Sequence, residues 1–105
     1  MTTEPVIHVE GTYCTPSILD LTSTSDAALM EAVSACHRML AGDWGDVDAE
    51  DKASNDRSLR DGSRMIGAYT VASERVWVII EAGSGLTDTM PALRPMMTIM
   101  KPEDY

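Results

Sequence analysis

Basic side chains are scarce in this sequence. Eight Lys and Arg residues stand against 17 Asp and Glu residues, which gives a formal net charge of −9 at pH 7. Proteins that bind DNA, RNA or an anionic membrane directly need a basic surface for the contact. The shortage of basic residues therefore argues against direct binding to nucleic acid or to a membrane surface.

Long apolar runs are also missing. No stretch of the chain approaches the roughly 18 apolar residues that a membrane-spanning helix needs. The first residues, MTTEPVIHVEG, contain neither a basic region nor a long apolar one, so they do not match a secretory signal. We therefore expect a cytoplasmic protein without a membrane span.

Phenylalanine is absent and aromatic residues make up 5% of the chain, although 44% of the residues are hydrophobic and eight are Met. This content excludes wholesale disorder and predicts a core of Met, Leu, Ile and Val. With 105 residues the chain fits one domain, residues 1–105. The two cysteines, Cys14 and Cys36, are too few and too far apart for a disulfide framework or a redox Cys-x-x-Cys motif, so we expect reduced thiols.

The common catalytic and metal-binding motifs are missing as well. The chain contains no Gly-x-Ser-x-Gly elbow and no Gly-rich phosphate loop. In the acidic run 46–51, the positions where a calcium loop needs Gly and a bidentate Glu hold Asp51 and Arg57. Cys36 and His37, adjacent on a predicted helix, point about 100° apart and cannot easily share a zinc ion. We therefore predict no catalytic residue, no metal ligand and no cofactor.

Strand-like and helical patterns alternate along the chain. Residues 5–10 form a short β-rich run that Gly11 ends, and residues 12–24 predict an irregular connection. Ser25 is the expected N-cap of a helix that ends at Gly42. The predicted buried stripe of this helix consists of Leu29, Val33, Cys36 and Leu40, and Ala32 and Met39 broaden it.

A second helix is predicted over residues 48–61, with Asp48 as its N-cap and Gly62 at its end. Its few apolar residues place it on the surface, and its charged residues are spaced for ion pairs four residues apart. Beyond it, the pattern predicts a β-hairpin, a flexible loop and a last strand, with strands at 65–71, 76–80 and 96–100. We therefore predict an α+β fold: an antiparallel sheet of three to four strands with two helices packed on one face.

The turn Gly42-Asp43-Trp44-Gly45-Asp46 joins the two predicted helices. Its glycines permit positive φ angles. Trp44 is either the anchor that packs the turn onto the sheet or an exposed contact for a partner. A single indole in a tight turn favours the anchor.

The most specific pattern in the chain starts at this turn. It consists of GDWGD at 42–46, Gly67-Ala68-Tyr69, VWVIIE at 76–81 and KPEDY at 101–105. This pattern resembles a family of short, acidic, uncharacterised proteins encoded on bacterial plasmids and other mobile elements, and the resemblance does not extend to residues 1–25. In size and charge the chain is similar to anti-CRISPR proteins.

These features favour a stoichiometric binding protein over a catalyst. The expected partner is a protein with a basic surface, namely a nucleic-acid-handling complex of host defence such as a CRISPR or restriction complex. The chain would inhibit this complex by occupying its basic groove. The residues predicted to bind the partner are Asp43, Asp46, Glu50 and Asp51, with Trp44 as an apolar anchor.

Two other classes of function stay open. One is a homodimeric accessory or regulatory module of the mobile element, which would self-associate through an open sheet edge or the Met-rich segment 90–100. The other is a small metal-dependent enzyme that uses the acidic turn.

Overall fold

A computed structural model describes residues 4–105. Within that range the chain forms three α-helices and four strands, followed by a short 3-10 helix. In chain order these are β1 (Ile7–Cys14), α1 (Pro16–Thr22), α2 (Asp26–Leu40), α3 (Ala49–Asp61), β2 (Met65–Val71), β3 (Glu74–Ile80), β4 (Ala92–Met100) and the 3-10 helix Pro102–Asp104. No helix in this range is long and apolar enough to cross a membrane.

The four strands form one sheet in the order β1-β4-β3-β2. β2 and β3 form the predicted antiparallel hairpin, and β3 pairs antiparallel with β4. β1 and β4 run parallel, in a register that pairs Ile7 with Ala92 and Cys14 with Ile99. The α+β class is confirmed, but the prediction of a purely antiparallel sheet was wrong. β1 and β4 are far apart in sequence, and the helices and hairpin between them supply the long connection that a parallel pair needs.

α1 lies inside residues 12–24, where an irregular connection was predicted, and it raises the number of α-helices from two to three. Pro16 occupies the first turn of α1, where its missing N–H has no helical partner to lose and its fixed φ suits the helix. Ile18 and Leu21, three residues apart, are buried. Pro16 therefore starts a helix here, which corrects the sequence-based prediction.

Three strands are longer than their patterns predict, and β3 begins at Glu74, two residues earlier than expected. β1 continues through Gly11, and β4 begins at Ala92 and runs through Pro95. Gly11 pairs with Met96, whose Cε lies 3.2 Å from the position that a Cβ on Gly11 would take. Pro95 is tolerated because β3 pairs only with residues 97–100 of β4, so β4 has a single neighbouring strand at the proline.

The buried face of α2 carries three alanines and only one large apolar residue. Its buried side chains are Ala28, Ala32, Ala35 and Met39. Of the predicted stripe, Leu29 and Val33 are 49% and 38% exposed, while Cys36 and Leu40 are half-buried at the margin of the core. The centre of the stripe was therefore wrong as the core face, whereas Ala32 and Met39, which broaden it, are buried as predicted. Short alanine side chains let the helix backbone lie close to the sheet, and a close-packed interior then has no room for larger ones.

The predicted ends of α2 are confirmed. The Ser25 hydroxyl accepts a hydrogen bond from the Ala28 N–H at 3.0 Å. After the helix, Gly42 has a φ of 84°, and the Asp43 N–H donates back to the Arg38 carbonyl at 2.9 Å. These bonds set the direction in which the chain leaves α2 toward the acidic turn.

The connection between β3 and β4, predicted to be a flexible loop, is held by a buried arginine. Arg94 is 1% exposed. Its guanidinium donates at 2.7–3.1 Å to the carbonyl groups of Ser58, Ser63, Glu81 and Ser84. Burial lowers the pKa of this guanidinium. The bonds tie the loop to the end of α3, so the sequence-based description of the loop as flexible misses its main anchor.

Candidate functional site

The turn that joins α2 to α3 is fixed by its tryptophan. Trp44 is 5% exposed and belongs to the hydrophobic core. Its Nε1–H donates a hydrogen bond to Oδ1 of Asp56 on α3 at 2.8 Å. Trp44 is thus the anchor of the turn, which is the role that the sequence favoured. Its inclusion among the partner-binding residues needs correction, because a buried indole has little surface to offer a partner.

The same turn covers the outer edge of β2. The Ala68 N–H donates to the Trp44 carbonyl at 3.1 Å, and the Asp46 N–H donates to the Ala68 carbonyl at 2.8 Å. Gly45 lies between these bonds in a parallel bridge with Ala68, at a φ of 73°. A Cβ on Gly45 would lie 2.0 Å from the Ala68 carbonyl oxygen, so this close approach requires glycine.

Asn55 on α3 extends the cover along β2. Its side-chain amide donates to the Ile66 carbonyl at 2.8 Å and accepts from the Ile66 N–H at 3.2 Å. The side chain thus replaces the peptide group of a neighbouring strand, and Asn55 is 5% exposed. Sequence reasoning missed it, because an asparagine in a polar helix carries no signal that separates a buried role from a solvated one.

With its backbone held in this way, the start of α3 and the three residues before it present a row of carboxylates. Asp46, Asp48, Glu50 and Asp51 are all exposed, and we call these four residues the acidic ridge. Asp48 caps α3 as predicted, accepting a hydrogen bond from the Asp51 N–H at 2.8 Å. Three of the predicted partner-binding residues, Asp46, Glu50 and Asp51, therefore lie together.

Asp43, a fourth predicted partner-binding residue, differs from the ridge because its charge is compensated. Its carboxylate accepts two hydrogen bonds from the Arg38 guanidinium, at 2.8 and 3.3 Å, and one from the Gly45 N–H at 3.1 Å. The hydrogen bond from Arg38 holds the pKa of Asp43 below its usual range. Asp43 also lines a separate groove, with Met30 and Pro5. The structure therefore does not bring Asp43 into the ridge.

The ridge carboxylates take part in no ion pair among the described residues. Within residues 4–105 the ion pairs are Arg38–Asp43, Arg64–Glu81 and Lys101–Glu74, and none involves the ridge. The ion pairs predicted inside α3 do not form in this range. The ridge lies at the start of α3, where the positive end of the helix dipole stabilises negative charge.

A groove of about 560 Å³ separates the ridge from the hairpin strands. Asp46, Asp48 and Asp51 line it from the α3 side. Two arginines and a tryptophan line it from the strand side, namely Arg64, Arg75 and Trp77. The Arg75 guanidinium also donates to the Asp46 carbonyl at 3.0 Å. Sequence reasoning missed the arginines, although Arg75 and Trp77, two residues apart in a strand, are expected on one face.

The side chains of this groove can recognise a charged partner. Carboxylates on one wall attract cations, and the two guanidinium groups opposite them constrain how a charged partner can orient. Glu50 is exposed but does not line the groove. Among residues 4–105, no three His, Cys, Asp or Glu side chains form a group that could hold a metal ion.

Comparisons with known proteins found no match to this chain among family models, curated proteins or solved structures. The resemblance to the mobile-element family stays a prediction from the residues that carry it. The function is therefore inferred from the site.

Proposed function

We propose that this protein acts by stoichiometric binding, with the acidic ridge contacting a basic surface on a protein partner. The observation that carries the proposal is the row of four exposed carboxylates that form no ion pair within residues 4–105. Charges left without partners on one side of a small domain are available to a partner of opposite charge.

The ridge is presented on a rigid backbone, which favours binding. The Trp44–Asp56 hydrogen bond fixes the turn, and the paired bonds between Asn55 and Ile66 fix α3 against β2. Because these groups are already ordered, association loses less conformational entropy than it would with a mobile acidic loop.

Electrostatics set the expected binding behaviour. A ridge of one sign on a chain of net charge −9 steers a basic partner toward it and raises the association rate. Salt screens this attraction, since the Debye length is about 8 Å at physiological ionic strength. Both the association rate and the affinity should therefore fall as salt rises.

The partner class that we propose is a nucleic-acid-handling complex of host defence, such as a CRISPR or restriction complex. Such complexes hold their nucleic acid in positively charged channels, where a row of carboxylates can compete for the same surface. The resemblance carried by GDWGD at 42–46 and KPEDY at 101–105 favours the same class, because inhibitors of host defence are useful to mobile elements.

The test is an affinity capture from a bacterial lysate that contains CRISPR and restriction systems, with increasing salt. The ridge variant combines Asp46→Asn, Asp48→Asn, Glu50→Gln and Asp51→Asn. Asparagine at position 48 preserves the helix cap, so the variant removes charge without removing the cap. We expect the wild type to capture a nucleic-acid-handling complex in a salt-sensitive way and the ridge variant to lose it.

A matched control separates the ridge from net charge alone. It neutralises four exposed acids elsewhere, Asp20, Glu31, Asp88 and Glu103, by the same Asn and Gln exchanges. Both variants change the net charge equally, so only the ridge variant should lose capture. Equal loss in the two variants, or a wild type that captures no such complex, would contradict the proposal.

A further inference from the structure

β1 forms the second edge of the sheet, and residues 4–105 leave it uncovered. Within residues 4–105, the backbone of Ile7–Cys14 makes no hydrogen bond outside its ladder with β4. This edge strand is eight residues long. Free edges of this length are a ready template for another strand, and proteins that stay monomeric usually protect them.

An apolar groove lies beside this edge. It has a volume of about 380 Å³ and is lined by residues of β1, α1 and α2, including Cys14 and Ile18. Three apolar side chains at its rim are unusually exposed: Leu19 at 58%, Leu29 at 49% and Val33 at 38%. Exposed apolar side chains gathered at one place mark a contact surface.

The edge and the groove are almost free of charge. The side chains that can carry charge are Glu10 and His8 on β1 and His37 in the groove, and no Asp, Lys or Arg lines either feature. The rest of a chain with net charge −9 is strongly acidic by comparison. A basic partner has only Glu10 to contact here, whereas a second copy of the same nearly uncharged surface meets little local repulsion.

The sequence of β1 fits antiparallel pairing with itself. In the register centred on Gly11, Tyr13 lies opposite Val9 of the second copy, and Thr12 lies opposite Glu10. Val9 packs against the core and Tyr13 is 54% exposed, so these two side chains lie on opposite faces of the sheet and the pairing relies on backbone hydrogen bonds. No two like charges lie directly opposite each other in this register.

We propose that a second copy of this chain docks on this surface, with the two β1 strands pairing antiparallel about Gly11 into one continuous sheet. The apolar rim residues of α1 and α2 then pack across a two-fold axis. This inference is independent of the proposed function, because it uses the β1 edge and the acidic ridge covers the β2 edge. A dimer of this kind carries two ridges at its far ends.

The first test is the oligomeric state measured by sedimentation equilibrium from about 1 to 200 μM. This range brackets the micromolar affinities at the weaker end of specific complexes. We expect a mass of twice the 11.4 kDa monomer at the upper end. Leu19→Asp and Val33→Asp should each weaken dimerisation at least about tenfold while leaving the melting temperature of the monomer nearly unchanged, because both side chains are exposed.

Met90→Asp is the matched control. Met90 is 52% exposed, but it lies in the Met-rich segment and not at the groove. It should leave the dimer intact. A wild type that stays monomeric throughout the range overturns the proposal, and so does a dimer that Met90→Asp disrupts and Leu19→Asp does not.

The second test reports the register. In a chain carrying Cys14→Ser and Cys36→Ser, the Gly11→Cys variant brings two thiols to the two-fold axis, where oxidised glutathione should link the chains. His8→Cys is the control on the same strand, since its two thiols would lie far apart. Cross-linking through position 8 and not through position 11 would overturn the pairing about Gly11.

Discussion

At the β2 edge the chain supplies its own cover, whereas at the β1 edge the part of the chain that the structure describes supplies none. The Trp44–Asp46 segment and the Asn55 side chain bond the outward backbone groups of Ile66 and Ala68. The Ile7–Cys14 strand has no such partner within residues 4–105. An uncovered edge strand can pair with another chain. The β2 edge is already hydrogen-bonded within the chain, whereas the β1 edge is available for pairing.

The surfaces beside the two edges also differ in charge and polarity. The cover of β2 presents the acidic ridge, whose carboxylates suit a basic partner. The surface beside β1 is apolar and nearly uncharged. We infer that recognition of a foreign partner and association of identical chains are assigned to opposite edges of one sheet.

The strongest way to disrupt the covered edge is to add a Cβ at its closest contact. Gly45→Ala combines a positive φ with a Cβ 2.0 Å from the Ala68 oxygen, so the turn must leave the strand. We expect the free energy of unfolding, measured by urea denaturation, to fall by roughly 3 kcal/mol or more. Gly42→Ala is the control: φ is 84°, but the nearest atom is 3.7 Å away. It should cost only about 1 kcal/mol. Equal losses would mean that the close contact does not hold the edge.

A smaller effect is expected from removing the side chain that imitates a strand. Asn55→Ala leaves the N–H and carbonyl of Ile66 without their partners, which should lower the free energy of unfolding by about 2 kcal/mol. Hydrogen exchange at the Ile66 amide should accelerate more than at neighbouring strand amides. Ser54→Ala, at an exposed position one residue earlier, should change neither quantity. Unaltered protection of the Ile66 amide in Asn55→Ala would show that this edge is sealed by something else.

The smallest effect concerns the ion pair beside the covered turn. Arg38 lowers the pKa of Asp43, so the pair stabilises the fold above the unfolded-state pKa of about 4, and this contribution disappears as pH falls through the lower folded-state pKa. Both side chains are about half exposed, so Asp43→Asn should cost only about 0.5 kcal/mol at pH 7. Urea midpoints of wild type and variant should converge near pH 2. A difference that persists there would assign the effect to packing rather than to charge.

Local signals were sufficient for the helix ends and the hairpin. Ser25 and Asp48 cap their helices, and Gly42 and Gly62 end them, because capping depends on a few neighbouring residues. Of the candidate site, the sequence located Asp46, Glu50 and Asp51 at the start of α3 for the same reason. It also included Asp43 and Trp44. The ion pair of Asp43 and the burial of Trp44 depend on contacts that a linear pattern does not contain.

The sequence by itself thus determined the α+β class, the boundaries of α2 and α3 and the acidic start of α3, all of which follow from interactions within a few residues. Only the tertiary structure decided that α2 buries its alanines, that Asn55 completes the edge of β2, and that β1 lies parallel to β4. Each of these depends on how closely distant segments approach. Backbone N–H and C=O groups that are left unpaired in one segment form hydrogen bonds with a segment distant in sequence, which a local pattern does not identify.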